Sequence, residues 1–150
     1  MKIAIGCDHA ALEAKNEIVN YLQLMGHDLL DEGTNSLDSV DYPDYAADVS
    51  RKVQSGMADR GILICGTGIG MSIAANRFKG IRAALCYTEE LAELSRLHNN
   101  SNILCFGART QSVESMKKIT SVWLATQWEG GRHGRRLDKI EINSRGQHVQ

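Results

Sequence analysis

The sequence lacks long apolar runs, an excess of charge of one sign, and closely spaced cysteines. No run approaches the roughly 18 apolar residues that a membrane-spanning helix needs. The apolar stretch after Met1-Lys2 is too short for a signal peptide. We therefore expect a cytoplasmic protein with no membrane partner. Seventeen Lys and Arg against eighteen Asp and Glu leave a net charge of -1, so composition predicts no nucleic-acid partner.

The four cysteines are spread along the whole chain, at Cys7, Cys65, Cys86 and Cys105. They form no CxxC pair, and no Cys/His spacing typical of a zinc site is present. We expect free thiols in a reducing compartment and no bound metal. For Cys86 and Cys105 we favour the role of small buried apolar residues.

What is present is the composition of one ordinary domain over residues 1–150, with 43% apolar and 23% charged residues. Short apolar runs predict five strands: Lys2–Ile5, His27–Leu30, Gly61–Cys65, Gly80–Leu85 and Asn102–Phe106. Segments of helical period lie between and after them: Ala11–Met25, Tyr45–Val53, Ile69–Phe78, Glu89–Leu97, Val113–Trp123 and Arg132–Ile142. Such alternation predicts an α/β fold with a five-stranded parallel sheet and helices on both faces.

The last predicted helix has few apolar residues and carries several basic ones, among them Arg132, Arg135 and Arg136. A helix of this composition covers little of its own domain, so we expect it to reach a partner subunit. The sequence leaves open whether the tail 143–150 is ordered.

Ligands of open α/β sheets bind beyond the carboxyl ends of the strands. Five short stretches follow predicted strands: Gly6–His9, Gly33-Thr34, Cys65–Gly70, Tyr87-Thr88 and Gly107–Arg109. The third places three glycines between a buried strand and a helix start, where free N–H groups attract negative charge.

Three interpretations compete for this glycine-rich stretch. A dinucleotide fold would place GxGxxG after the first strand, and a phosphate-binding P-loop would need Gly-Lys-Ser/Thr where Gly70 is followed by Met71. A tight turn without a ligand is equally consistent with the glycines alone. The side chains of Cys65 and Thr67 favour a ligand site.

A thiol at Cys65 would suit acid–base chemistry. Its ordinary pKa of ~8.5 makes ionisation at neutral pH cost roughly 2 kcal/mol. A neighbouring helix N-terminus typically stabilises the negative thiolate by up to ~1 kcal/mol. The thiolate is then accessible without being permanent, as a base that gains and loses a proton requires.

The remaining polar candidates each have a structural alternative. Asp8 is also a natural cap for the helix beginning near His9, and His98 also suits the end of a helix. Arg132 and Arg136, four residues apart, could clamp a phosphate, but taken alone they favour a solvated face. A Cys65–His98 nucleophilic hydrolase is conceivable, although nothing else in the sequence indicates acyl transfer.

Taken together, six segments resemble the ribose-5-phosphate isomerase B and galactose-6-phosphate isomerase family. They are Gly6–His9, Asp41–Pro43, Ile64–Gly70, Ser72–Asn76, Arg96–Asn99 and Glu129–His133. The segments occur in order along nearly the whole chain and end before about Ile142.

The resemblance implies a Rossmann-like three-layer α/β/α sandwich that works as a homodimer or a tetramer of dimers, with the active site at the dimer interface and no cofactor or metal. It implies an isomerase that interconverts ribose 5-phosphate and ribulose 5-phosphate through an enediolate. Cys65 would be the base, Thr67 would assist the backbone N–H groups that hold the enediolate, and His98 would open the sugar ring. The substrate-binding residues that it implies are Asp8, His9, Tyr42, Gly66, Thr67, Gly68, Ile69, Gly70, Asn99, Arg109, Arg132 and Arg136.

Two alternatives stay open: a six-carbon sugar phosphate as the substrate, and a binding protein without catalytic activity. Some family members carry a glutamate base where this chain has Met71, which favours the cysteine variant here. The galactose-6-phosphate enzyme splits its motifs between two different chains, whereas this chain holds both. Allose 6-phosphate and galactose 6-phosphate stay open as substrates, because a six-carbon sugar phosphate is larger by only one hydroxymethyl group. A non-catalytic sugar-phosphate or nucleotide-binding module would use the same loop and arginines.

Overall fold

The computed structural model describes the backbone of residues 1–145 and the side chains of residues 1–141. Its five strands are β1 (Lys2–Cys7), β2 (Asp28–Asp31), β3 (Arg60–Cys65), β4 (Ala83–Leu85) and β5 (Ile103–Gly107). All pair in parallel, in the order β2-β1-β3-β5-β4. The predicted parallel α/β sheet is confirmed.

Six α-helices connect and flank the strands among the described residues: α1 (Leu12–Leu24), α2 (Tyr42–Gln54), α3 (Ile69–Ala75), α4 (Glu89–Asn99), α5 (Val113–Ala125) and α6 (Arg132–Arg145). A short 3₁₀ turn (His9–Ala11) precedes α1. None of the described helices is long and apolar enough to cross a membrane.

The core consists of two apolar layers, one on each face of the sheet, because successive strand residues point to opposite faces. On one face Ile5, Ile64 and Phe106 pack against α1, α4 and α5, with Trp123 fully buried. On the other face Leu63, Cys65, Ile103 and Cys105 pack against α2 and α3. Trp123 Nε1 donates a hydrogen bond to Ser101 Oγ at 2.7 Å, so this buried ring carries no unpaired donor.

Several predicted boundaries need correction. The third helix ends at Ala75 rather than Phe78, and β4 begins at Ala83 rather than Gly80. Both changes involve Asn76, whose side-chain amide donates to the Ala83 carbonyl while its Oδ1 accepts the Ala83 N–H. The second helix starts at Tyr42 rather than Tyr45, because Pro43 occupies its first turn. The first helix spans Leu12–Leu24 rather than Ala11–Met25, and Met25 is 45% exposed.

Helix α6 extends three residues beyond its predicted end, to Arg145. Residues 143–145 of the tail are thus helical, and residues 146–150 lie outside the described residues. The helix does touch its own domain, since His133 and Leu137 are buried where α6 meets α4. Arg132, Arg135 and Arg136 remain exposed. The expectation that α6 reaches a partner subunit stays a prediction.

Candidate active site

The segment from Cys65 to Gly70 forms a tight turn between β3 and α3 at the carboxyl edge of the sheet. Cys65 is 5% exposed, and its Sγ accepts a hydrogen bond from the Gly68 N–H at 3.2 Å. Gly68 has φ +78°, and a Cβ there would lie 2.7 Å from the Phe106 carbonyl carbon. Only glycine fits this position, so the turn that aims an amide at the sulfur depends on it.

The turn is fixed from the neighbouring strand β5 and from the residues that follow β4. The Ala108 N–H donates to the Cys65 carbonyl at 2.8 Å, and the Arg109 N–H donates to the Gly66 carbonyl at 2.9 Å. The hydroxyl of Tyr87 donates to the Thr67 carbonyl at 2.6 Å. The sequence predicts Tyr87-Thr88 only as a stretch at the ligand edge and carries no signal for this positioning contact.

Three predicted side chains surround the turn. Thr67 is exposed, and its Oγ1 accepts the Ile69 N–H at 3.3 Å. Tyr42, in the first turn of α2, lies so close to Gly70 that a Cβ there would be 2.6 Å from the Tyr42 ring. Arg109 is exposed beside Gly66, where an added Cβ would be 3.4 Å from the Arg109 guanidinium. The structure therefore groups the side chains of Tyr42, Thr67 and Arg109 around the turn.

Asp8 and His9 follow β1, which pairs with β3 next to the turn. Asp8 is 7% exposed, and its Oδ1 accepts the Ala10 N–H at 3.0 Å, so it caps the 3₁₀ turn as its structural alternative predicted. His9 Nδ1 accepts the Val40 N–H at 3.2 Å. In the neutral ring this contact makes Nε2 the protonated nitrogen. The Nε2–H is then a donor that a phosphate oxygen could accept.

His98 and Asn99 lie at the opposite edge of the sheet. Helix α4 starts beyond the carboxyl end of β4 and ends before the amino end of β5, so its last turn is at the amino edge. Strands of this length span roughly 15–20 Å at ~3.3 Å per residue. Within one chain the Cys65 sulfur and the His98 ring are therefore separated by the length of the sheet, which is incompatible with a Cys65–His98 hydrolase in a single chain.

The predicted site residues thus fall into two groups. The loop cluster comprises Asp8, His9, Tyr42, Cys65, Gly66, Thr67, Gly68, Ile69, Gly70 and Arg109. The histidine cluster comprises His98, Asn99, Arg132 and Arg136, together with two residues that sequence reasoning gave no role. His133 stacks on His98 with ring centroids 4.4 Å apart. Glu129 lies 3.9 Å from His98 and 3.5 Å from His133, measured between its Oε2 and each Nε2.

The other three cysteines are core residues, as expected for Cys86 and Cys105. Burial raises the pKa of Cys7 and of Cys86 to about 11, and it raises the pKa of Cys105 well above its ordinary value. These three groups stay protonated at neutral pH. Cys65 alone among the cysteines lies in the glycine turn at the ligand edge.

Comparison with known proteins shows the family of this chain. The family model described as Ribose/Galactose Isomerase matches residues 3–140. The chain belongs to the Ribose/Galactose Isomerase family. It is 50% identical over 139 residues to ribose-5-phosphate isomerase B of Escherichia coli, with 93% of each chain covered. A putative sugar phosphate isomerase of Bacillus subtilis is 48% identical, with 93% of this chain and 95% of that one covered.

Solved structures of Ribose/Galactose Isomerase relatives share the fold. Ribose-5-phosphate isomerase B of Clostridium thermocellum superposes with a TM-score of 0.97 at 45% identity, over 98% of this chain and 99% of that one. The enzyme of Mycoplasma genitalium, solved with bound ribulose 5-phosphate, superposes with a TM-score of 0.92 at 42% identity, over 96% of each chain. The family and the α/β/α fold implied by the sequence resemblance are confirmed.

Proposed function

We propose that this chain is a cytoplasmic, cofactor-independent isomerase that interconverts ribose 5-phosphate and ribulose 5-phosphate. The observation that carries the proposal is the Cys65 sulfur, held in a glycine turn with the Gly68 N–H 3.2 Å away. The relatives support the substrate, since one of them is named ribose-5-phosphate isomerase B and another was solved with ribulose 5-phosphate.

Cys65 is the base in this proposal. Its thiolate takes the proton from C2 of the open-chain aldose, which leaves an enediolate, and the thiol returns the proton to C1 to give the ketose. The complementary proton moves from the C2 hydroxyl to the C1 oxygen. Met71, at the position where some family members carry a glutamate base, is fully buried in the core and offers no carboxylate. A positioned base of this kind contributes about 10²- to 10⁴-fold in rate.

The backbone of the glycine turn stabilises the enediolate oxygens. The N–H groups between Gly66 and Gly70 lie at the start of α3, and those of Gly68 and Ile69 donate to Cys65 Sγ and Thr67 Oγ1 within the turn. In the proposed complex the enediolate oxygens share or replace these acceptors. A well-placed donor to a developing oxyanion is worth about 3 kcal/mol. Ile69 contributes through its backbone N–H, because its hydrocarbon side chain has no hydrogen-bond donor. Asp8 and Tyr42 contact the sugar hydroxyls from the flanking strand and helix.

The complete site requires a second copy of the chain. His98 opens the sugar ring by protonating its oxygen, and Asn99 lines the sugar, yet both lie a sheet length from Cys65 in one chain. A homodimer that brings the histidine cluster of one copy to the loop cluster of the other resolves this separation. Exposed apolar residues next to each cluster, Ile73 at 63% and Trp128 at 40%, suit such a contact.

The phosphate is then bound from both copies. His9 and Arg109 belong to the loop cluster, whereas Arg132 and Arg136 extend from the exposed face of α6 in the histidine cluster. Arginine and a phosphate form bidentate, charge-assisted hydrogen bonds. This arrangement gives the basic, mostly exposed helix α6 a ligand and a partner.

The decisive variant is Cys65→Ala, with Cys105→Ala as a control that removes a buried thiol elsewhere in the sheet. We expect Cys65→Ala to lose at least ~10²-fold in ribulose 5-phosphate formation and in solvent-deuterium exchange at C2. It should still bind ribose 5-phosphate, and Cys105→Ala should retain turnover. Near-normal turnover of Cys65→Ala would refute the proposal. Wild-type protein that binds the sugar phosphate without turning it over would instead indicate a binding module.

A six-carbon sugar phosphate is the second candidate substrate, because the matching family model also covers galactose isomerases. One extra hydroxymethyl group changes binding by only about 1–3 kcal/mol. Comparison of kcat/KM for five-carbon aldose 5-phosphates and six-carbon aldose 6-phosphates distinguishes the two candidate substrates. We expect the highest value for ribose 5-phosphate.

A further inference from the structure

Three metal-ligating side chains converge at the amino edge of the sheet from three separate segments. His98 ends α4, Glu129 lies in the connection before α6, and His133 is in the first turn of α6. One ligand atom from each side chain lies within 4.8 Å of the other two. The His98 and His133 rings are nearly parallel, with an interplanar angle of 13°.

The His133 imidazole is buried yet incompletely satisfied. Its side chain is 5% exposed in the protein, and its Nε2 has no hydrogen-bond partner. A buried nitrogen without a partner is destabilising, and such groups in folded proteins call for a ligand or a structural reason. The nearest anionic group is Glu129 Oε2 at 3.5 Å. A cation between them would satisfy both atoms.

The donor set matches one kind of ion. Two imidazoles and one carboxylate, with a position left for water, are the ligands with which proteins hold Zn²⁺ in open tetrahedral sites. Bonds of about 2.0–2.1 Å require ligand atoms roughly 3.3 Å apart, so the three atoms need to close further. Glu129 supplies part of that closure, because it is exposed and precedes Gly130 and Gly131, both of which have positive φ. The His98 side chain, which is 38% exposed, supplies the rest by rotating out of its stack on His133.

We propose that His98, Glu129 and His133 bind one Zn²⁺ per chain, and that the bound ion inhibits isomerisation. The binding site rests on the geometry alone. The inhibition rests on the proposed function, in which His98 protonates the ring oxygen of the cyclic substrate. The Nε2 atom of His98, once bound to the metal, has neither a lone pair nor a proton for that step, so zinc acts here as a reversible inhibitor of ring opening.

The first experiment measures zinc binding directly. Metal-free protein competes with a chromophoric chelator for Zn²⁺ in wild type, Glu129→Gln and His133→Gln. Glu93→Gln, which neutralises an exposed glutamate on α4, is the matched control. We expect one ion per wild-type chain, at least about tenfold weaker binding in the first two variants, and unchanged binding in Glu93→Gln. Mg²⁺, which prefers oxygen ligands, should not compete.

Co²⁺ identifies the ligands. Wild-type protein loaded with Co²⁺ should show the visible bands of nitrogen and oxygen ligation without thiolate-to-metal absorption. Equal zinc affinity in wild type and Glu129→Gln would overturn the site. Thiolate absorption would overturn it as well, because the ion would then lie on Cys65.

The second experiment measures turnover of ribose 5-phosphate at rising Zn²⁺, with each variant compared to its own zinc-free rate. Wild type should lose activity as the site fills and recover it when a chelator is added. Glu129→Gln should need at least about tenfold more zinc for the same loss. Full occupancy of the site with undiminished turnover would overturn the inhibition and the ring-opening role of His98, while the metal site itself would stand.

Discussion

Gly68 and Gly80 offer a matched pair of substitutions that separates backbone strain from steric contact in the glycine turn. Both have a left-handed backbone, with φ +78° and +77°. A Cβ at Gly68 would lie 2.6 Å from Leu85 Cδ1 and 2.7 Å from the Phe106 carbonyl, whereas a Cβ at Gly80 would have no atom within 4 Å. Both Gly68→Ala and Gly80→Ala therefore introduce the strain of a left-handed backbone. Only Gly68→Ala also introduces a steric clash.

The magnitudes follow from this difference. The left-handed conformation costs a non-glycine residue about 1–2 kcal/mol, so Gly80→Ala should lower the free energy of unfolding by that amount. Insertion of a methyl group into a filled space adds about 1–3 kcal/mol for Gly68→Ala. Because the Phe106 backbone cannot rotate away, the turn must shift, and the Gly68 N–H moves relative to the Cys65 sulfur. The same shift displaces the N–H groups of the turn that hold the enediolate in the proposed reaction, and loss of one oxyanion donor costs about 10²- to 10³-fold in turnover.

Urea unfolding and ribose 5-phosphate turnover, measured on both variants and wild type, test this reasoning. Gly68→Ala should be the less stable variant and lose most activity, while Gly80→Ala should keep near-normal turnover. Equal losses of stability in the two variants would show that the turn has room for a side chain. A fully active Gly68→Ala would show that the placement of this amide does not matter for the reaction.

Three further perturbations have defined outcomes. Lys15 is fully buried and donates to Asp31 Oδ2 at 2.6 Å, so Lys15→Met should lower the free energy of unfolding by about 1.5–3 kcal/mol. Lys117→Met removes a more exposed ion pair and should change the free energy of unfolding by less than about 1 kcal/mol. Equal losses of stability for the two variants in urea unfolding would contradict this difference. Iodoacetamide should alkylate Cys65 in the native protein before the three core cysteines, read out by peptide mass; uniform labelling would argue against the assignment. Burial, and next the neighbouring His98, lower the pKa of the His133 imidazole in the folded protein. As pH falls below 6.5, the His133 imidazole is therefore protonated in the unfolded chain before it is protonated in the folded one. The stability advantage of wild type over His133→Gln should therefore shrink between about pH 7 and pH 5, and an advantage independent of pH would contradict the shift.

The arrangement of the sheet was predictable because its strands are apolar runs covered on both faces, and the clearest of them, β3, ends at the glycine turn. Strand β4 was less predictable, since an asparagine side chain rather than a backbone pattern sets its start. Lys15 was missed because a lysine on a helix face counts as polar, while its partner Asp31 lies on another element. Such pairs depend on tertiary contact and leave no local pattern.

The candidate site was predictable in its residues but not in their arrangement. The glycine turn and Cys65 could be located because strand, turn and helix follow one another locally. The separation of Cys65 from His98 depends on the strand order and on where α4 ends, which no single segment encodes. The contacts of Tyr87 with Thr67 and of Glu129 with the two histidines are likewise long-range or loop contacts with no periodic signal.

In the proposed enzyme one site combines Cys65 from one copy with His98 from another, and subunit mixing distinguishes such a shared site from a site within one chain. Cys65→Ala and His98→Asn are each expected to be inactive on ribose 5-phosphate. When the two are unfolded, mixed in equal amounts and refolded together, random pairing makes half of the dimers mixed, and each mixed dimer has one intact site. We expect recovery of about a quarter of wild-type activity. A mixture that stays as inactive as its components would contradict it.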